Sequence, residues 1–471
     1  MSFDYETYLS PFTWRYGSLE MRQIWSEAHK RLLWRQIWLA LAEVEAEFGL
    51  VQPQQLDDLR RHVADLDVPR ALQIEAEIHH DLMAELKTFA EQAPEGGRIL
   101  HLGATSTDIE DNADVLRLRQ SLDLLLEKLR PLLLDFAEKI ELWADAPLIA
   151  FTHLQPAEPS TLGYRLATYA QDLFMDWQAL TDSRASLRGK GLRGAVGTGA
   201  AYGELVGVEA LPAFQKRLSE KLELPFFPVA TQVYPRKQDY QVVSALAGLG
   251  ASLYKFAFDL RILQSAPIGE WRESFGHQQV GSSAMPFKRN PVNAEKVNSL
   301  ARLLAQMPRL AWDNAAHSLL ERTLDDSANR RVLLAESCLL ADEILLSSSK
   351  LLANLQVDKD AMRRNLAEYG PFAAIEPLLM ALGKAGADRQ AMHERLRQHA
   401  LKAWDAIQLG QPNPLNDLIA ADDEIRSYLP GADLSAHMDL ENYLGDAPRR
   451  ARNLAAEINL KVRKPGETPT D

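Results

Sequence analysis

Apolar residues recur along most of this chain at intervals of three and four, the spacing that gathers side chains on one face of an α-helix. The longest such run covers 112–144, where Val115, Leu116, Leu122, Leu125, Leu129, Leu132, Phe136 and Ile140 fall on a single stripe. At 1.5 Å per residue it predicts about 50 Å of helix, with a bend at Pro131. A second stripe passes through Tyr164, Leu166, Tyr169, Leu173, Trp177 and Leu180, and others cover about 238–265, 291–318 and 330–355. Five long helical segments therefore fill the middle of the chain. Their apolar faces are wide, which predicts burial against other helices, including those of partner subunits. Strand signals are weak: Leu148 to Phe151 and Phe226 to Val233 are the two candidates. A break at Gly103-Ala104-Thr105-Ser106-Thr107 and another after Leu351 to Val357 place boundaries near 105 and 357. These give a helical N-terminal part (1–105), a long-helix centre (106–357) and a helical C-terminal part (358–471). The polar tail 461–471, with two prolines, is predicted to fray.

Composition narrows the class. With 46% hydrophobic and 25% charged residues, the 471-residue chain is ordinary for a soluble globular protein. No apolar run approaches the roughly 18–20 residues that span a bilayer, so no membrane partner is expected. The first residues lack a basic stretch followed by an apolar core, and a single cysteine, Cys338, excludes a disulfide framework. A cytoplasmic location is the expectation. A net charge of −13 argues against a nucleic-acid partner, yet leaves room for a small anionic ligand held by locally concentrated cations. No glycine-rich nucleotide fingerprint follows a strand.

Several segments carry chemistry. In 281–291, GSSAMPFKRNP, Gly281 frees the backbone, Pro286 and Pro291 stiffen the loop, and Lys288 and Arg289 supply charge beside Ser282 and Ser283. Such a loop suits an anionic substrate, although a surface connector has a similar composition. His153, between Thr152 and Gln155-Pro156, has a pKa near working pH and can donate a proton. Thr105 and Ser106, in HLGATS, either cap a helix together with Asp108 or bind a carboxylate through hydroxyl and backbone N–H. The group His79-His80-Asp81 has metal-type side chains, but no second ligand pair stands at helical spacing.

The order of residues says more. GSSAMPFKRNP resembles GSSxMPxKxNP, the signature of the fumarase/aspartase superfamily, whose members eliminate fumarate from succinyl-type substrates. Over nearly the whole chain the motifs resemble the adenylosuccinate lyase family, closest to the type that includes the animal enzymes. They are SPFTWRYGSLEM, HHDLM, HLGATS, FTHLQPAE, ERTLDDSANRR and KAGADRQ. The resemblance implies an all-α, three-domain fold whose central long-helix bundles associate into a twenty-helix homotetramer core, with active sites shared between subunits. It implies elimination of fumarate from adenylosuccinate and from its precursor SAICAR, with no metal or organic cofactor. In that family Ser282 matches the general base, with Ser283 the open alternative, and His153 the general acid. Lys288 favours the alkoxide and, with Asn290, holds the succinyl carboxylates, while Glu295 orients His153. Arg15, Tyr16, His80, Asp81, Thr105, Ser106 and Gln232 match substrate contacts. Arg322, Ser327 and Arg331 match nucleotide contacts, and forked guanidinium bonds suit phosphate. His79 and Lys296 depart from the pattern, each standing where arginine is usual. Two alternatives remain open: another fumarate-releasing lyase such as argininosuccinate lyase, or a non-catalytic relative that kept the fold.

Overall fold

The computed structural model describes residues 6–276, 284, 285, 287–430, 434, 436–438 and 443–464. Four of the five expected long helices are single elements: Ser106–Leu142, Leu162–Ser186, Lys237–Leu263 and Ser327–Ala353. The first runs unbroken through Pro131 and fully buries Leu122, Leu125, Leu129, Leu132, Phe136 and Ile140. The segment 291–318 divides instead into Val292–Leu304 and Met307–Ala316. Pro308 lies in the first turn of the second helix. Lacking an N–H, it starts a helix well and continues one badly.

Phe226 to Val233 forms no strand among the described residues, only an isolated bridge from Gly189 to Phe226. Pro225 and Pro228 remove the donors that a ladder would need. Leu148 to Phe151 lies in β1 (Pro147–Thr152), which pairs antiparallel with β2 (Gln155–Thr161). The register runs from Pro147 opposite Thr161 to Thr152 opposite Gln155 and shifts between Ile149 and Phe151. That leaves His153 and Leu154 as a two-residue hairpin loop, with φ of 53° and 59°. A right-handed twist favours such left-handed loop residues, although non-glycine side chains adopt them at a cost of about 1 kcal/mol each.

The chain forms two compact units, interleaved in sequence. The first comprises 1–129, 176–251 and 299–346, and the second 130–175, 252–298 and 347–471. In the first unit the helix Glu27–Glu47 is anchored by a buried charge cluster. Glu85 takes Arg31 at 3.1 Å and Arg35 at 2.6 Å, and all three side chains are essentially inaccessible. Charges can be buried this way because each keeps a partner. In the second unit Phe136, Tyr169, Phe256 and Trp271 pack edge to face, with centroids 5.4 to 6.2 Å apart. Arg165 ties this core to β1, bonding Glu270 at 2.6 Å and the Ile149 carbonyl at 3.1 Å. The hairpin that carries His153 therefore stands on a fixed base.

Candidate active site

In the first unit, one face of the helix Ser106–Leu142 presents Thr107, Glu110, Asp111, Asp114 and Arg117 at intervals of three and four. This is a polar stripe beside the helix's apolar one, and it forms one wall of a pocket. Ser327, Arg330 and Arg331, from the first turn of Ser327–Ala353, form another. Glu27, Lys30 and Trp34 enter from Glu27–Glu47, and Asp81, Arg236 and Arg322 complete the charged lining. The cavity itself holds about 140 Å³, and the empty space counting its open mouth is about 780 Å³.

The arginines of this pocket are held in place. Arg236 grips Asp111 through both terminal nitrogens at 3.1 Å and reaches Asp326 through Nε at 2.8 Å. Arg330 bonds Asp239 at 2.8 Å and lies 3.3 Å from Asp114. Arg322 meets Asp326 at 2.7 Å, and Arg331 meets Asp81 at 2.8 Å. Fixed guanidinium groups form a preorganised set of donors for an anion. Arg331 is the most open of the ion-paired arginines here, with 56% of its side chain exposed. Burial works against an ionised Asp81, but Arg331 beside it holds the carboxyl below the usual carboxylate range. Glu110 goes the other way. Burial, then Asp81, Asp111 and Asp114, push its carboxyl up to about 8, against the pull of Arg331.

Of the residues singled out from sequence, Asp81, Arg322, Ser327 and Arg331 line this one pocket. His80 and Ser106 are joined nearby. His80 caps the helix Asp81–Gln92 by accepting the Met83 N–H on Nδ1, which leaves Nε2 to donate toward Ser106 Oγ at 3.3 Å. Thr105 donates its backbone N–H to Asp108 at 2.9 Å, the capping arrangement its sequence allows. The Gln232 carbonyl accepts the Thr107 hydroxyl and its N–H bonds the Glu321 carbonyl, which ties that loop to the pocket. His79 ends the helix Val68–Ile78 in a left-handed conformation, and its ring is exposed. Arg15 stacks over Trp14 and Tyr16. Their segment is pinned to the helix Ser327–Ala353, where Gly17 and Ser18 donate N–H groups to Glu343 and Asp342.

The second unit carries the remaining candidates. His153 lies exposed at the hairpin tip. Lys288 is exposed in the turn before the helix Val292–Leu304, with its N–H on the Met285 carbonyl. The Asn290 carbonyl accepts the Val292 N–H. Glu295 and Lys296 occupy the first turns of that helix, and Glu295 faces Arg261 at 3.9 Å. Glu273 caps the helix by accepting the Asn293 and Ala294 amides. Ser282 and Ser283 lie outside the described residues. Among the described residues no group of three His, Cys, Asp or Glu side chains is placed to hold a metal ion.

Glu110, Asp111, Asp114, Arg117 and Lys30 were not anticipated as pocket residues. The spacing 107, 110, 111, 114, 117 is a readable signal, a polar stripe with helical period. It was eclipsed by the stronger apolar stripe on the same helix.

Comparison with known proteins agrees with this architecture. A family model described as lyase matches residues 18–304, and one described as adenylosuccinate lyase C-terminus matches 371–454. The adenylosuccinate lyase of Schistosoma mansoni is 37% identical over 91% of this chain and 91% of its own. That of Saccharomyces cerevisiae is 34% identical over 95% and 94%. Among solved structures, the 3-carboxy-cis,cis-muconate lactonizing enzyme of Pseudomonas putida superposes with a TM-score of 0.84 at 26% identity, covering 95% of this chain and 99% of that one. A fumarate lyase from a Mesorhizobium species gives 0.82 at 24%, covering 96% and 99%.

Proposed function

Because the chain belongs to the adenylosuccinate lyase family, we propose that it eliminates fumarate from adenylosuccinate, leaving AMP, and from SAICAR, leaving AICAR. The observation that carries this reading is the pocket in which Arg322, Ser327 and Arg331 stand together. A nucleotide phosphate needs fixed guanidinium donors and a hydroxyl, whereas an amino-acid substrate such as argininosuccinate has no phosphate to place there.

In the reaction, a base removes the proton from the carbon beside one succinyl carboxylate, and charge accumulates on that carboxylate. The C–N bond then breaks, and the departing nitrogen takes a proton. Ser282 is the base in this reading, with Ser283 its alternative, and the Lys288 ammonium favours the alkoxide. His153 supplies the proton to nitrogen, and an exposed hairpin tip on a fixed base suits that task. Glu295 orients His153, and Asn290 helps hold the succinyl group. His79 and Lys296 supply charge without a guanidinium fork. Arg15, Tyr16, His80, Asp81, Thr105, Ser106 and Gln232 contact the substrate.

The same reading includes division near 105 and 357, a homotetramer with shared active sites, and a cytoplasmic setting. Apolar side chains left exposed on and near the first unit's helices, among them Leu303, Trp312 and Val332, are surface that association would cover. Among the described residues no helix is long and apolar enough to cross a membrane.

The test is fumarate release from adenylosuccinate, SAICAR and argininosuccinate by the purified chain, with Ser282→Ala alongside. Cleavage of the two purine substrates alone is expected, with turnover lost and AMP binding kept in the variant. Activity on argininosuccinate only, or none on any substrate, would overturn the reading.

A further inference from the structure

Four carboxylates line the pocket beside the arginines, apart from Glu27 at its Lys30 edge: Asp81, Glu110, Asp111 and Asp114. Three have cationic partners. Asp81 has Arg331, Asp111 has Arg236, and Asp114 has Arg117 and Arg330. Glu110 has none: its half-buried carboxyl makes no hydrogen bond and no ion pair among the described residues. The remaining cations are also engaged, Lys30 by Glu27 at 2.7 Å and Arg322 by Asp326. An ionised Glu110 would thus face three other carboxylates, in a cleft whose positive charge is already matched.

We propose that Glu110 works as a neutral carboxyl in this pocket, donating a hydrogen bond to the anionic ligand, and that loss of its proton weakens ligand binding. This rests on the nucleotide reading above. A protonated carboxyl offers one O–H donor, whereas an ionised one only accepts and repels. Charged groups share the pocket with it from every wall. Asp111 and Asp114 lie on its own helix, Asp81 heads the helix Asp81–Gln92, and Arg330 and Arg331 lie on Ser327–Ala353. Glu27 and Lys30 line the pocket from Glu27–Glu47. A phosphate dianion arriving among them adds negative charge, so it strengthens the hold of Glu110 on its proton. The free carboxyl is pushed up to about 8. Ligand binding should therefore take up a proton from solvent above that pH and take up none well below it.

Isothermal titration of AMP into the intact protein at about pH 8.5, in two buffers of different ionisation heat, reads this directly. The expected result is uptake of a substantial fraction of a proton by wild type and none by Glu110→Gln. Across about pH 7.5 to 9.5, wild-type affinity for AMP should fall by roughly tenfold or more, while the Gln variant stays nearly flat. Zero uptake by wild type, or parallel pH profiles for the two proteins, overturns the proposal. The wild-type measurement decides the matter even if the variant folds poorly. Cleavage of adenylosuccinate and binding of AMP without proton linkage would remove the role of Glu110 alone. Failure of both cleavage and binding would remove the nucleotide reading with it.

Discussion

Glu45 should cost this protein stability at neutral pH. It lies on the buried side of the helix Glu27–Glu47, with 1% of its surface exposed, and among the described residues neither carboxylate oxygen has a hydrogen-bond partner. Burial pushes the carboxyl from 4.5 up to about 8. The sign follows from linkage. Between those two values the unfolded chain gives up this proton and the folded chain keeps it, so rising pH favours unfolding. With 1.36 kcal/mol per pKa unit, the penalty is about 1 kcal/mol at pH 5 and about 3 kcal/mol at pH 7, with a ceiling near 5 kcal/mol above pH 9. Glu45→Met removes the ionisable group while keeping an unbranched chain of good helix propensity, and it avoids burying the unpaired amide that Gln would bring. Chemical denaturation followed by circular dichroism at about pH 5 and pH 7 should show the variant gaining on wild type by about 2 kcal/mol between the two pH values. A stability difference that does not change with pH would refute the reasoning, since a purely packing-based gain carries no proton.

Four other substitutions probe different links. Gly197 has φ of 82°, and an added Cβ would stand 1.9 Å from the Ala230 carbonyl oxygen. Gly197→Ala should therefore lower the melting temperature by many degrees or abolish soluble expression, and a wild-type melt would contradict that geometry. Lys190 and Asp108 form an ion pair with both side chains 0% exposed. Lys190→Met should cost about 3–5 kcal/mol in denaturant unfolding, since it strands a buried carboxylate. Arg331→Lys should raise KM by about tenfold or more with a smaller change in kcat, because a compact ammonium cannot reproduce the guanidinium fork. His153→Gln should lower turnover by roughly 10²–10⁴ while AMP titration remains close to wild type; unchanged turnover would remove this residue as the acid.

The long helices were readable because a helix is a local object: residues three and four apart already decide its buried face. The break at 305–306 has a local signal in Pro308, but the apolar spacing continues across it and reads as one helix. β2 had no such signature. Gln155-Pro156-Ala157-Glu158-Pro159 neither alternates nor favours a strand, and its extended form comes from pairing with β1. The left-handed backbone at His153 follows from that pairing, since a two-residue loop between these strands demands positive φ.

The site divides in the same way. Motif order alone carried the family and named Asp81, Arg322, Ser327 and Arg331, because such motifs are contiguous in sequence. That these four share a pocket depends on contacts between distant residues. Arg331 and Asp81 are 250 positions apart, and Arg236 and Asp111 are 125 apart. Which arginines are neutralised, and which carboxyl is left to hold a proton, depends on distances of a few ångströms between segments that sequence order does not relate. The helices, the motifs and the family were therefore determined by the sequence itself, through local spacing and residue order. The pairing of charges, the strain at the hairpin tip and the isolated position of Glu110 were decided only when tertiary packing brought those segments together, because electrostatic energy depends on separation in space and on burial.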